Sequence, residues 1–309
     1  MEHKSQHFVP RSYLEAWCDT RTPAGQTPYV WRHEKDGGEP ERKAPRNIFC
    51  EPDYYTFFDA TGNRNLFLEK YLSPIEGHFT RIRKIIRATA AFPNEEDVRI
   101  LCLYVALMLN RTKDQKDNRL DFYRRALKRT VDVEKASNSD PTLSQQIEPY
   151  TKYGHHIAMV GDIQDIVGFL GRMSKALFFA EKGSFFITSD SPCFLFAPDA
   201  YRMPPYGRSP GFGWQTVELI LPLSPFVLFL ASWSDIQGPK LVRDNVVQCL
   251  NHRLRFWCHE YFITHDGVTQ PFWFDPGKEP ADSWENTQRK NSSKGTNGNI
   301  DSPQGATSG

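Results

Sequence analysis

The sequence predicts an α+β protein, with a helical N-terminal two-thirds followed by a small, mainly antiparallel sheet and a closing helix. Three observations lead there. Apolar residues recur at three and four positions from about residue 65 to 90, and again from about 95, which is the period of an amphipathic helix. Short apolar runs bounded by Gly, Ser and Pro gather after about residue 174, the pattern of strands. Helices and strands are grouped rather than alternating, which favours α+β over a parallel α/β sheet.

The elements follow in chain order. Tyr13, Leu14 and Trp17 have helical spacing behind Pro10, which stands in the first turn. Tyr29-Val30-Trp31 reads as a short strand, and Asp36-Gly37-Gly38 as a turn. Residues 49–58 are aromatic and extended. Leu72, Ile75, Phe79, Ile82 and Ile86 mark one face of the helix over 65–90, and Pro74 inside it predicts a kink or break. Asn94 is a good N-cap, with Glu95, Glu96 and Asp97 suited to the positive helix end. That next helix is read as one piece from about Glu95 to Asp132, apolar all round in its middle and so central to the core. A third helical region starts at Asp140-Pro141-Thr142, is interrupted near Gly154, and resumes over 162–172. Residues 175–180 and 185–188 read as a hairpin around the 181–184 turn. Two further strands fit 217–222 and 226–231, a helix fits 239–258, and Tyr261-Phe262-Ile263 makes a last strand. Beyond about Pro276 core-forming residues almost vanish. Residues 1–275 are therefore read as a single domain and 276–309 as a disordered tail.

Composition bounds the function. Lys+Arg is 38 against 37 for Asp+Glu, which argues against a general polyanion binder; nucleic acid stays open as a partner, but the net charge does not indicate it. With 22 Phe, 12 Tyr and 7 Trp the chain has the means to bury a substantial core. The apolar run Ile100–Leu109 is too short to cross a bilayer, and Val217–Trp233 carries Glu218 and is broken by Pro222 and Pro225. The N-terminus lacks the pattern of a signal peptide. The six cysteines form no C-x-x-C pair, so a zinc ribbon is disfavoured and free thiols are expected. These features place the chain in the cytoplasm, with no membrane partner.

No phosphate-binding glycine loop, dinucleotide fingerprint, H-E-x-x-H or G-x-S-x-G occurs. Five residues are left as candidates for chemistry. His7, just before a helix, suits a general base or a ligand, or a backbone-bonded structural role. Glu69 and Glu76 are two helical turns apart on one face, a spacing that can hold a divalent metal or divide acid and base roles, or simply face solvent or pair with Arg81 or Arg83. Arg111 follows an apolar run, so its stem is flanked by core and it needs a carboxylate or phosphate-like partner. Asp190 sits at a strand end, either as a presented carboxylate or as the acceptor of an Asx turn. His155-His156 lacks a partner in helical register and is assigned to structure or surface.

Several segments resemble the domain-of-unknown-function family 4238. They are His7-Phe8-Val9-Pro10-Arg11-Ser12-Tyr13-Leu14, then Phe67–Glu76 with its paired glutamates, and Leu109-Asn110-Arg111-Thr112. Ile187-Thr188-Ser189-Asp190-Ser191-Pro192, Leu221-Pro222-Leu223-Ser224-Pro225 and Asn251 follow. Together they cover roughly residues 5–265. Trp17 stands where that pattern has Phe, and Ser191 where Asn is usual. The resemblance implies an intracellular protein of bacterial or fungal type with no established activity, and names no cofactor.

Two functional readings result. In one, His7, Glu69, Glu76, Arg111 and Asp190 converge on a cleft of a metal-dependent hydrolase acting on a phosphoester. In the other, the chain is a non-enzymatic binding or effector protein, and the same residues are an internal network that fixes the N-terminal segment on the helices.

Overall fold

The computed structural model describes residues 5–59, 61–138, 140–200 and 210–275. The chain opens with β1 (Ser5–His7) and α1 (Arg11–Leu14). Five short strands follow: β2 (Val30–Glu34), β3 (Glu41–Lys43), β4 (Cys50–Pro52), β5 (Phe57–Phe58) and β6 (Arg64–Asn65). Then come α2 (Phe67–Thr89), α3 (Glu95–Asn110), α4 (Lys113–Ala136), α5 (Thr142–Ile147), α6 (Tyr150–Gly161) and α7 (Ile163–Arg172). The last part holds β7 (Ser174–Ala180), β8 (Thr188–Ser189), β9 (Phe194–Phe196), β10 (Glu218–Ser224), β11 (Val227–Ser232) and β12 (Gly238–Val242). It closes with α8 (Asp244–Trp257), β13 (Tyr261–Thr264) and α9 (Pro271–Phe274).

This overturns the expected architecture. Among the described residues, six short strands lie in the first 65 positions, the long helices occupy the middle, and the strands form four sheets rather than one small one. The largest is a mixed five-stranded sheet, ordered β12-β7-β11-β10-β9. Its mixed character comes from β12, which pairs in parallel with β7 while the other neighbours are antiparallel. The spacing of Leu241, Val242, Val246 and Val247 suggests that β12 belongs to the closing helix. Leu241 is in fact exposed on an edge strand and the helix begins at Asp244. A second sheet, β3-β2-β13-β8, ties the N-terminal strands to the late chain. The expected hairpin between 175–180 and 185–188 is absent, because β7 pairs with β11 and β12, and β8 pairs with β13.

Burial explains why the 217–233 run is apolar throughout. Leu219, Leu221, Leu223 and Phe229 enter one core cluster, with Leu72, Phe79 and Ile82 of α2, Leu101 and Val105 of α3, and Leu170 of α7. Ile220, Leu228 and Leu230 enter another, with Val247, Leu250 and Leu254 of α8 and with Phe262 and Trp273. Both faces of these strands are covered, so the period-2 alternation of a half-exposed strand disappears.

The helix α2 keeps its apolar stripe and runs unbroken through Pro74. Asn94 caps α3 as expected, its Oδ1 accepting from the Asp97 N–H at 2.9 Å. The single helix expected over 95–132 is instead two, α3 and α4, parted at Arg111 and Thr112. Gly154 lies within α6 rather than at an interruption. A Cβ there would come within 2.4 Å of the Tyr123 ring, so the glycine serves the close packing of α4 on α6. The tail expected over 276–309 lies outside the described residues.

Candidate functional site

The break between α3 and α4 turns Arg111 inward, where its side chain is 2% exposed. Each of its nitrogens donates to a protein acceptor. Nε reaches the Tyr55 hydroxyl at 3.0 Å, Nη1 the Glu76 Oε1 at 2.8 Å, and Nη2 the His7 carbonyl at 2.8 Å. The Tyr54 hydroxyl closes the loop by donating to the Arg111 carbonyl at 3.1 Å. Burial by itself lowers the Arg111 pKa, but Tyr55, Glu76 and Tyr104 together hold it above the usual guanidinium value. Burial pushes the Tyr55 hydroxyl up to about 12, so it stays a neutral partner.

The neighbouring strand residue extends this network. Gln6 is buried in β1; its Nε2 donates to Glu69 Oε2 at 2.8 Å and its Oε1 accepts from the Tyr55 N–H at 2.6 Å. Glu69 thus holds the N-terminal strand directly through Gln6, and Glu76 holds it indirectly, through Arg111 and the His7 carbonyl. The His7 ring is half-buried, with Nε2 3.3 Å from the Pro45 carbonyl. Burial lowers its pKa, partly opposed by that backbone contact. His7 therefore contributes its backbone to Arg111 and its ring to the Pro45 turn.

Asp190 stands elsewhere. Its carboxylate accepts three backbone N–H groups, from His259 at 2.8 Å, Glu260 at 2.7 Å and Tyr261 at 2.9 Å. Burial raises its pKa, against the pull of these three donors. Among the described residues no hydrogen bond or ion pair joins it to His7, Glu69, Glu76 or Arg111. The structure therefore brings four of the five candidates together, around β1, and sets the fifth at the start of β13. Among the described residues no group of three or more His, Cys, Asp or Glu side chains is placed to hold a metal ion, and no helix is long and apolar enough to cross a membrane.

The family model for a protein of unknown function, DUF4238, matches residues 5–268. The chain belongs to the DUF4238 family. No curated protein and no solved structure matches it.

In this DUF4238 member the segments that carry the family resemblance sit at seams between elements. The Tyr13 hydroxyl donates to the Pro222 carbonyl at 2.7 Å and lies 2.7 Å from Thr188 Oγ1. Asn251 on α8 accepts from the Ile187 N–H at 3.0 Å and donates to the Phe185 carbonyl at 2.8 Å. Arg83 on α2 donates to the carbonyls of Ser12 and Tyr13, both at 2.9 Å, and so holds the end of α1. Sequence reasoning missed Gln6 and Tyr55, and took Arg83 as a pairing partner for the glutamates, whereas it bonds the end of α1. Gln6 is a lone amide beside an apolar stretch, and Tyr55 is one aromatic among many; neither has a local signal. Arg83 had one, as a charge between the buried Phe79 and Ile82 positions and Ile86 on an otherwise amphipathic helix.

Proposed function

We propose that this chain is a non-enzymatic binding or effector protein in which Gln6, His7, Glu69, Glu76 and Arg111 form the framework that docks the N-terminal strand on α2 and α3. The observation that carries this reading is the closure of Arg111. Each of its three nitrogens is bonded, to Glu76, Tyr55 and His7, and the side chain is 2% exposed, so the group presents no open face to a substrate. The removal of Asp190 to a separate backbone-capping role supports it further, since catalytic groups need to lie within hydrogen-bond reach of one reacting centre.

A thermal-shift titration with Mg²⁺ and Mn²⁺, repeated on Glu69→Gln, tests the reading against a metal-dependent phosphoester hydrolase. A metal at 100 times its Kd adds about 2.7 kcal/mol to stability. The framework reading expects no metal response in either protein. A stabilisation by metal that is lost in Glu69→Gln would overturn it in favour of the hydrolase.

A further inference from the structure

Three clefts lined by described residues differ in charge. One, of about 490 Å³ between α1 and the Pro45 turn, has Arg11 and Arg46 on its wall but also Glu15, which pairs with Arg11 at 2.9 Å. Another, of about 320 Å³, is lined by Glu34, Asp36 and Glu260 beside Lys35 and His259. The third, of about 480 Å³, lies where α7 hands over to β7 beside the start of β12, and its lining includes Arg172 and Lys175 with no carboxylate. An aromatic ring, Phe92, forms part of the same wall.

The two cations of this third cleft retain binding capacity. The Arg172 guanidinium lies over the Phe169 ring, 5.0 Å from its centroid. Its Nε donates to the Gly168 carbonyl at 3.3 Å, while its two Nη groups meet no acceptor among the described residues. Lys175 Nζ donates to the carbonyls of Met173 at 2.6 Å and Gly171 at 3.5 Å. Those bonds fix the ammonium at the end of α7 and leave one of its three protons over. Neither cation has an ion-pair partner among the described residues, so an incoming anion displaces none. Gly238 adds a side-chain-free edge: its φ of +72° disfavours any Cβ, and no atom lies within 4 Å of where one would stand. The volume falls in the range of small-molecule sites.

We propose that this cleft binds a nucleoside monophosphate, with the phosphate held by Arg172 and Lys175 and the base against Phe92. A planar guanidinium and an ammonium lining one cleft without a carboxylate suit a phosphate dianion, and an aromatic face suits a base. The assignment rests on the reading of the chain as a binding protein and adds the ligand class and the place.

Isothermal titration of the full chain with AMP, inorganic phosphate and adenosine tests it. AMP binds more tightly than either fragment. Arg172→Glu weakens AMP by about tenfold or more, as loss of a charged hydrogen bond implies. Phe92→Leu weakens AMP without changing the phosphate affinity. Arg172 is exposed at the C-terminal end of α7, so Arg172→Glu keeps the fold and lowers the melting midpoint by only about a few degrees, and Arg46→Glu, in the first cleft, leaves AMP binding unchanged. Absence of AMP binding at millimolar concentration overturns the proposal, as does AMP binding that Arg172→Glu does not alter, or phosphate binding as tightly as AMP. None of these outcomes touches the framework reading, which the metal titration and the Glu69 variant decide independently.

Discussion

On either side of the break between α3 and α4, two buried polar regions are built in opposite ways. Around Arg111, every nitrogen of the guanidinium is bonded within the protein, and of the groups facing it only the Tyr104 hydroxyl meets no partner among the described residues. Next to it, between α3, α4 and α6, Arg119 Nη2 donates to Asn110 Oδ1 at 2.6 Å and Asp162 Oδ2 at 2.7 Å. There, however, Arg119 Nη1, Asn110 Nδ2, both His155 nitrogens and His156 Nδ1 are buried without a partner among the described residues. A satisfied buried ion pair rigidifies its surroundings, whereas unpaired buried groups each cost about 1–3 kcal/mol unless solvent reaches them. The contrast teaches that burial alone does not mark a site. The closed region joins the N-terminal strand to α2 and α3, and the open one leaves polar groups between α4 and α6 whose desolvation is not offset.

The largest effect that would break this comparison is at Arg111. Arg111→Met strands the Glu76 carboxylate and leaves the His7 carbonyl only the Tyr55 hydroxyl at 3.4 Å, and urea unfolding should show a loss of about 3–5 kcal/mol. Arg111→Lys should recover only part of it, because an ammonium cannot reproduce three bonds in the plane of the fork. A near-neutral Arg111→Met would mean that the network is not a framework.

Asp190→Ala comes next. It leaves three N–H groups at the start of β13 without their acceptor, and the partly exposed backbone near His259 lets water meet part of the demand. A loss of about 2–3 kcal/mol is expected, with amide exchange at His259, Glu260 and Tyr261 accelerated before the rest of the sheet. Unchanged exchange there would remove the capping role.

The open region should declare itself through pH. Burial, reinforced by Arg119, His156 and Lys116, lowers the His155 pKa far below its ordinary 6.5. The folded form therefore refuses a proton that the unfolded chain accepts. The stability that the neutral ring permits is fully present above about pH 6.5 and declines as pH falls below it, by up to about 1.4 kcal/mol per pH unit. Unfolding curves at pH 7.5, 6.5 and 5.5 should be flatter with pH in His155→Leu than in the wild type. Equal slopes would assign the acid lability to other buried imidazoles, such as His33, whose pKa burial lowers to about 4.

The smallest effect is expected at Glu69. It is part-exposed, and a glutamine in its place keeps an oxygen that can accept from Gln6, so Glu69→Gln should change stability by less than about 1 kcal/mol. A larger loss would extend the rigid region along α2 to its first turn.

Some of this was legible in the residues themselves. The 4-3-4-3-4 spacing from Leu68 to Ile86 specifies one buried face whatever it packs against, so α2 is readable from the residues alone. Asn94 followed by three acids fixes a helix start for equally local reasons. Arg111 could be singled out because a charge at the end of an apolar run must find a partner. The identity of that partner could not be read: Glu76, Tyr55 and the His7 carbonyl are distant in sequence and meet only when β1 pairs with β4 and lies along α2. The same limit explains the errors in the strands. Gly238–Val242 carries an apolar pattern compatible with a helix, and only the open edge of β7 selects a strand for it. Local spacing is set by the geometry of single elements, so the sequence alone determines it. Which edges are left open, and which buried charges face each other, depends on contacts between remote segments, and these the tertiary structure decides.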